Sequence, residues 1–194
     1  MMRTVRFVIV VQPSKAIKNE ALKTANLYTR KCYGKISKHI RYTSNGEIMF
    51  APPHVTVRGG SNVKAKAVQE FVGKVKKIAR KYKKFRLTFN GTRSFSKNKR
   101  PFVYYWRVKP NKTLNSLEKS LYSELKNWSS YRFPSYTPHL TIVYDDRSRN
   151  PLLSHAPGFL PKRQCIISAL TILKKNAWRS RIKYYKEYLR IPLG

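Results

Sequence analysis

The chain has 194 residues, and its 42 Lys and Arg against 8 Asp and Glu give a formal net charge of +34 at pH 7. Apolar residues make up 41% of the chain, which excludes a disordered polyelectrolyte and suffices for a sizeable core. A surface of one charge sign favours polyanions, so RNA, an oligonucleotide or a nucleotide is the expected partner. The alternative, a generally basic solvated surface, stays open on charge alone.

The first third of the chain predicts a strand, a helix and a hairpin. Val5–Val11 is a β-branched run that ends at Pro13-Ser14, and apolar residues then recur at helical spacing to about Lys31. Ser44-Asn45-Gly46-Glu47 is typical of a hairpin turn, because Asn-Gly tolerates positive φ at both central positions. The turn leads into a strand at Ile48–Phe50.

The middle of the chain predicts two amphipathic helices separated by two strands. The first helix has an apolar stripe from Val68 to Tyr82 and a lysine-rich opposite face. Strands are expected at Phe85–Phe89 and Phe102–Val108, with a basic polar connection at Arg93–Arg100. The second helix is expected to run from a Thr113 cap to Trp128.

The last third predicts a loop and two closing strands. Pro and Gly residues break regular structure between Asp145 and Arg163. Strands are expected at Cys165–Leu173, which is apolar on both faces, and at Ile182–Ile191.

Two of the four histidines stand in one pattern that occurs twice, as Pro53-His54-Val55-Thr56-Val57 and Pro138-His139-Leu140-Thr141-Ile142. Side chains at i and i+2 of a strand share a face, so each motif presents an imidazole beside a hydroxyl. A single strand histidine is more often structural, and an isolated threonine is an ordinary strand former. The duplication favours a shared site, in which both imidazoles flank one phosphate.

This pair of motifs resembles the 2H phosphoesterase superfamily, and the match rests on His54, Thr56, His139 and Thr141. Supporting context covers nearly the whole chain, from the opening strand to the closing run Ile167–Leu173. The resemblance implies an α+β, bilobal fold with two antiparallel sheets backed by helices around a central cleft. Residues 1–194 would then form a single bilobal domain.

The resemblance also implies metal-independent hydrolysis of RNA-type phosphodiesters, such as 2′,3′-cyclic phosphates and 2′,5′-linked or cyclic oligonucleotides. Such chemistry needs one proton removed from the nucleophile and another delivered to the leaving oxygen. Imidazole, with a reference pKa of about 6.5, can do either at neutral pH. His54 and His139 are therefore the expected acid and base, with their order left open, and the hydroxyls of Thr56 and Thr141 would meet the charge on the phosphate oxygens.

Four further residues are candidates for substrate binding. Strand alternation predicts that Arg58 shares the face of His54 and Thr56, where a guanidinium could contact a phosphate. Tyr105 and Arg107 share one face of their strand, and Tyr104 and Trp106 share the other. Either pair could reach a base while the other joins the core, so Tyr105, Trp106 and Arg107 all remain candidates.

Two other functions stay open. The chain could be a non-catalytic, basic RNA-binding module that grips a phosphate terminus in the cleft. A metallohydrolase using His139, Asp145 and Asp146 ranks below both, because no further carboxylate is nearby in sequence.

No pattern for a cofactor is present: the sequence lacks a Walker A loop, a G-x-G-x-x-G turn and a C-x-x-C pair. Cys32 and Cys165 lack metal-ligand spacing, which predicts free thiols in a reducing cytosol. The apolar stretch Phe7–Val11 is too short for a signal peptide or membrane span. We expect a cytoplasmic monomer with no cofactor, no metal, no membrane association and no obligate protein partner.

Overall fold

The computed structural model describes residues 4–30, 40–44, 47–97, 100–128, 136–145, 163–179 and 182–194. Within these ranges it contains three α-helices and ten strands. The helices are α1 (Lys15–Arg30), α2 (Val68–Ala79) and α3 (Lys112–Glu124), with 3-10 turns at Ala65–Ala67 and Lys126–Trp128. The strands are β1 (Thr4–Val11), β2 (Ile40–Ser44), β3 (Glu47–Ala51), β4 (Val55–Lys64), β5 (Phe85–Lys97), β6 (Arg100–Val108), β7 (His139–Asp145), β8 (Arg163–Ile167), β9 (Ala169–Arg179) and β10 (Ile182–Pro192).

The strands form two antiparallel halves that meet edge to edge. The first half has the order β10-β9-β1-β4 and the second the order β7-β6-β5-β8. They are joined between β4 and β7, where Val55 pairs with Leu140. The hairpin β2-β3 adds parallel pairings, to β7 through β2 and to β10 through β3. The predicted α+β class is confirmed, and backbone pairing links the two expected sheets into one.

The helices cover one face of this sheet and build its core. Helix α1 contacts β7 of the second half, whereas α2 and α3 contact β4 of the first half. Helix α2 buries the apolar stripe that its sequence predicts, including Phe71, Val75 and Ile78. Val55 and Leu140 are fully buried in the same core, so the motif residues on either side of them face away from the helices.

Several local features differ from the sequence expectations. The expected connection Arg93–Arg100 is largely strand in its described part, because Arg93–Lys97 belongs to β5 and Arg100 begins β6, and Arg93 pairs with Tyr105. Gly91, with φ of 77°, lies at the register shift that lets β5 continue beyond Phe89. Helix α3 is capped by Asn111 and not by Thr113, because the Asn111 side chain accepts a bond from Leu114 N at 2.8 Å.

Other expectations fall partly outside the described residues. The antiparallel pairing of β2 with β3 confirms the hairpin, although its turn residues 45–46 lie outside those ranges. Cys32, Asp146 and residues 147–162 of the predicted loop lie outside them too. Cys165 is buried and free. In the described part of the chain, no helix has the length and apolar character needed to cross a membrane.

Candidate active site

The two histidine motifs lie side by side where the halves of the sheet meet. Because Val55 pairs with Leu140 in antiparallel fashion, a step of one residue brings His54 opposite Thr141 and Thr56 opposite His139. Directly opposite residues of an antiparallel pair share a face, with Cβ atoms about 4.5–5.5 Å apart. The two imidazoles and two hydroxyls therefore alternate around a small area of the sheet face opposite the three described helices, which we call the cleft face.

Each imidazole is oriented by a short bond to its own chain. His54 Nδ1 lies 2.7 Å from the carbonyl oxygen of Pro52, and His139 Nδ1 lies 2.7 Å from that of Thr137. A carbonyl oxygen can only accept, so each Nδ1 carries the proton that is donated. In both neutral rings the lone pair is therefore on Nε2, where it can accept a proton.

The surroundings of both rings favour the uncharged form. Burial, together with the nearby His139, lowers the pKa of His54 to about 4, although the bond to Pro52 opposes the shift. Burial also lowers the pKa of His139 against the opposing effect of its bond to Thr137. Both imidazoles are therefore neutral at pH 7 without a ligand, and His54 can accept a proton there.

An anion between the rings would reverse this balance. An opposite charge within about 4–6 Å favours the protonated form of a histidine, and a phosphodiester brings such a charge. A negatively charged ligand would thus favour a proton on one of the imidazoles.

Strand β6 extends the cleft face beyond β7. Tyr105 pairs with Thr141, and Arg107 pairs with His139, so both β6 side chains lie on the face of the motifs. The Tyr105 ring lies 4.9 Å from that of His139, centroid to centroid. The structure thus brings Tyr105 and Arg107 to the motifs, which is where a substrate-binding role requires them.

Trp106 occupies the other face of β6, and its candidacy as a base-binding residue is wrong. It is 1% exposed, pairs with Leu140 and belongs to the main apolar cluster. Alternation along the strand left either face of β6 possible as the core face. The pairing of Trp106 with the buried Leu140 shows that its face is the one in the core.

Arg58 does not share the face of Thr56, so its predicted place beside the histidines is wrong. Thr56 pairs with Val10 and Arg58 with Ile9, so β4 carries an extra residue, Val57, between them. In such a bulge the two residues opposite Ile9 point to the same side, which is the helix-covered face. Arg58 is 4% exposed there, and its guanidinium lies 4.6 Å from the centroid of the Tyr122 ring of α3.

Two aromatic residues that the sequence did not single out also support the site. The Phe95 ring stacks on Tyr105 with 4.4 Å between centroids and meets His139 edge-on at 5.0 Å. Tyr136 donates from its hydroxyl to the carbonyl oxygen of Thr56 at 2.9 Å, which ties the segment before β7 to β4. Neither residue belongs to a sequence motif that indicates a role in the site, although Tyr136 lies only three residues before His139.

Of the three candidate metal ligands, His139 and Asp145 are among the described residues and Asp146 lies outside them. In the ranges that the structure covers, no three His, Cys, Asp or Glu side chains are grouped so as to hold a metal ion. The backbone of Asp145 pairs with Thr43 at the far end of β7 from His139.

Comparison with known proteins bears on both fold and family. Residues 35–177 match the model of the 2′-5′ RNA ligase superfamily, and no curated protein matches the chain. The protein TT0787 of Thermus thermophilus superposes with a TM-score of 0.68 at 14% identity, over 97% of each chain. E. coli LigT, crystallised with 3′-AMP, gives 0.61 at 15% identity, over 98% of this chain and 99% of LigT.

These structural likenesses show a shared bilobal fold, and the family match covers well over half of the sequence, including both histidine motifs. The chain therefore belongs to the 2′-5′ RNA ligase superfamily, within the 2H phosphoesterases.

Proposed function

We propose that the protein is a metal-independent phosphodiesterase that hydrolyses RNA-type phosphodiesters by general acid-base catalysis between His54 and His139. The observation that carries this proposal is the register of Val55 with Leu140, which sets each motif histidine opposite the other motif's threonine. Family membership supports a phosphoester substrate. Suitable substrates are 2′,3′-cyclic phosphates and 2′,5′-linked or cyclic oligonucleotides.

In the proposed reaction His54 is the base and His139 the acid. Nε2 of His54 takes a proton from water while the water oxygen bonds to phosphorus. The bond from phosphorus to the leaving oxygen breaks, and that oxygen takes the proton from Nε2 of His139. Afterwards His54 carries a proton and His139 has lost one, so exchange with solvent restores the starting state.

We assign the role of base to His54 because both burial and the neighbouring His139 hold its ring neutral, whereas only burial does so for His139. Its pKa of about 4 leaves it neutral over the whole neutral range, as a proton acceptor must be. His139 must be protonated for its role, and it gains that proton when the anionic substrate binds beside it. The hydroxyls of Thr56 and Thr141 donate to the non-bridging oxygens, where negative charge builds up.

The experiment is a substrate panel assayed with wild type, His54→Ala and His139→Ala. The panel contains 2′,3′-cyclic, 2′,5′-linked, 3′,5′-linked and cyclic oligonucleotide phosphodiesters, and products are separated by chromatography. We expect turnover of at least one 2′-type linkage, its loss in both variants, and no change with EDTA. Inhibition by EDTA, or full activity in either histidine variant, would contradict the mechanism.

The second candidate is a non-catalytic RNA-binding module, which the net charge of +34 favours. In that case both alanine variants would bind RNA as wild type does, and wild type would leave every member of the panel intact. Binding would still weaken steeply with salt.

We also propose that residues 1–194 form a single domain and that the protein is a monomer located in the cytoplasm. The free, buried Cys165 supports a reducing compartment. Size-exclusion chromatography with light scattering tests the monomer.

A further inference from the structure

A pair of arginines lies beside the histidine site on its β6 side. Arg107 pairs with His139 across β6 and β7, and Arg93 pairs with Tyr105 across β5 and β6. Tyr105 in turn pairs with Thr141. Directly paired residues share a face of the sheet, so Arg93, Tyr105 and Arg107 all extend the cleft face outward from the catalytic residues.

The register fixes how far each arginine lies from the reacting phosphate. Strands are spaced about 4.8 Å apart, so Arg107 is one strand from His139, and Arg93 is two strands from Thr141. An arginine side chain is long enough to extend over the strand next to its own. Arg93 is thus too remote for the scissile phosphate, but it is placed for a neighbouring one.

The charges around this pair leave it available to an anion. Arg93 and Arg107 are both exposed, and in the described part of the chain neither forms an ion pair with a carboxylate. Burial raises the pKa of the Tyr105 hydroxyl, and the positive charges of Arg93 and Arg107 oppose that shift. Two cations therefore act on one hydroxyl donor, and no carboxylate among the described residues is paired with either of them.

The aromatic rings hold this arrangement in place. Tyr105 is 7% exposed and is clamped between the Phe95 ring at 4.4 Å and the His139 ring at 4.9 Å. A ring so fixed keeps its hydroxyl at a constant distance from the site, which a second binding position requires.

We propose that Arg93 and Arg107, which flank the hydroxyl of Tyr105, form a second phosphate subsite beside the two histidines. This inference rests on the proposed function and narrows its substrate class. The preferred substrate is an oligonucleotide that carries at least one phosphate besides the scissile one. A mononucleoside 2′,3′-cyclic phosphate would leave the second subsite empty.

The test compares two substrates with the same reacting end. One is adenosine 2′,3′-cyclic phosphate, and the other is a tetra-adenylate that ends in a 2′,3′-cyclic phosphate. We expect Arg93→Gln to lower kcat/KM for the tetranucleotide about tenfold, the loss of one charge-assisted contact. The same variant should leave the mononucleotide within twofold of wild type.

A salt series gives a second readout. For single strands, log affinity falls with log salt with a slope of about −0.7 per neutralised phosphate. Arg93→Gln should reduce the steepness of the tetranucleotide slope by about 0.7. Arg93→Lys should restore the slope but not the full affinity, because an ammonium lacks the planar fork that holds two phosphate oxygens.

The matched control is Arg80→Gln, which removes the same charge from the exposed C-terminal end of α2, away from the cleft face. Equal losses in Arg80→Gln and Arg93→Gln would overturn the subsite and indicate a general effect of charge. An equal loss for mononucleotide and tetranucleotide would overturn it as well.

Binding separates this inference from the proposed function. Affinities for 3′-AMP and for a tetra-adenylate 3′-phosphate can be measured by anisotropy competition whether or not wild type turns over any substrate. Absence of turnover in wild type counts against the phosphodiesterase. A preference of wild type for the tetranucleotide that Arg93→Gln selectively reduces supports the subsite, and the lack of such a preference counts against it.

Discussion

His54 and His139 orient their rings in the same way, each with Nδ1 2.7 Å from the carbonyl oxygen of the residue two positions earlier. This bond is local to each motif, so it gives the site near two-fold symmetry and assigns no roles. Burial lowers the pKa of both rings, and only at His54 does the neighbouring histidine add to the shift, which brings its pKa to about 4.

The roles can be separated with a leaving group that needs no proton. His139→Ala should lose most activity on a 2′,5′-linked oligonucleotide but keep a large share of it on a nucleoside p-nitrophenyl phosphodiester, because nitrophenolate leaves unprotonated. His54→Ala should lose activity on both, since each reaction needs an activated water. Steady-state kinetics on the two substrates measures this difference. Rescue of His54→Ala and not His139→Ala would reverse the assignment.

The threonines offer a second prediction, since each hydroxyl lies opposite a motif histidine. Thr56→Val and Thr141→Val keep the branched shape that suits a strand and remove only the donor. We expect kcat to fall about 100-fold in each variant, the effect of losing one preorganised donor to transition-state charge, with a smaller change in KM. Thr113→Val, on α3 behind the sheet, is the control and should match wild type. A change in KM alone would show that the hydroxyls bind the ground state only.

Sequence periodicity was sufficient for the elements that depend on local patterns. The apolar stripe from Val68 to Ile78 and the β-branched run at Val5–Val11 became α2 and β1. The repeated histidine motif predicted the candidate site for the same reason, since its i and i+2 spacing fixes a shared face wherever a strand forms.

Sequence periodicity did not predict the conformation correctly where pairing with a neighbouring strand determines it. The bulge at Val57 is set by the pairing of β4 with β1, and it moves Arg58 from the cleft face to the helices. Gly91 similarly lets β5 continue through a polar segment that reads as a loop. The subsite arginine Arg93 lies in that segment, so its relation to Tyr105 exists only in the folded sheet.

The corrected position of Arg58 gives a third prediction. With its guanidinium over the Tyr122 ring and 4% exposure, Arg58 should affect stability and not substrate binding. Arg58→Met should leave KM within twofold of wild type. A double-mutant cycle with Tyr122→Leu, measured by urea unfolding, should give a coupling energy of about 0.5–2 kcal/mol. A large rise in KM with no such coupling would return Arg58 to the binding site.

The buried imidazole of His54 also makes stability depend on pH, which is a fourth prediction. Its folded pKa of about 4 lies below the unfolded value of 6.5, so between these values the unfolded chain binds more protons. The contribution of neutral His54 is complete above pH 6.5 and is lost as pH falls toward 4. At pH 5 the loss amounts to about 2 kcal/mol in the free energy of unfolding.

His54→Asn isolates this effect, because the asparagine amide can still donate to the carbonyl of Pro52 while it does not titrate. Urea unfolding at pH 7.5 and pH 5 should show wild type losing about 2 kcal/mol more than the variant between the two conditions. His139→Asn should reduce the loss as well, since burial lowers the pKa of His139 in the same direction. If wild type and His54→Asn lose stability in parallel, His54 is not held neutral by burial, and the basis for its role as the resting proton acceptor disappears.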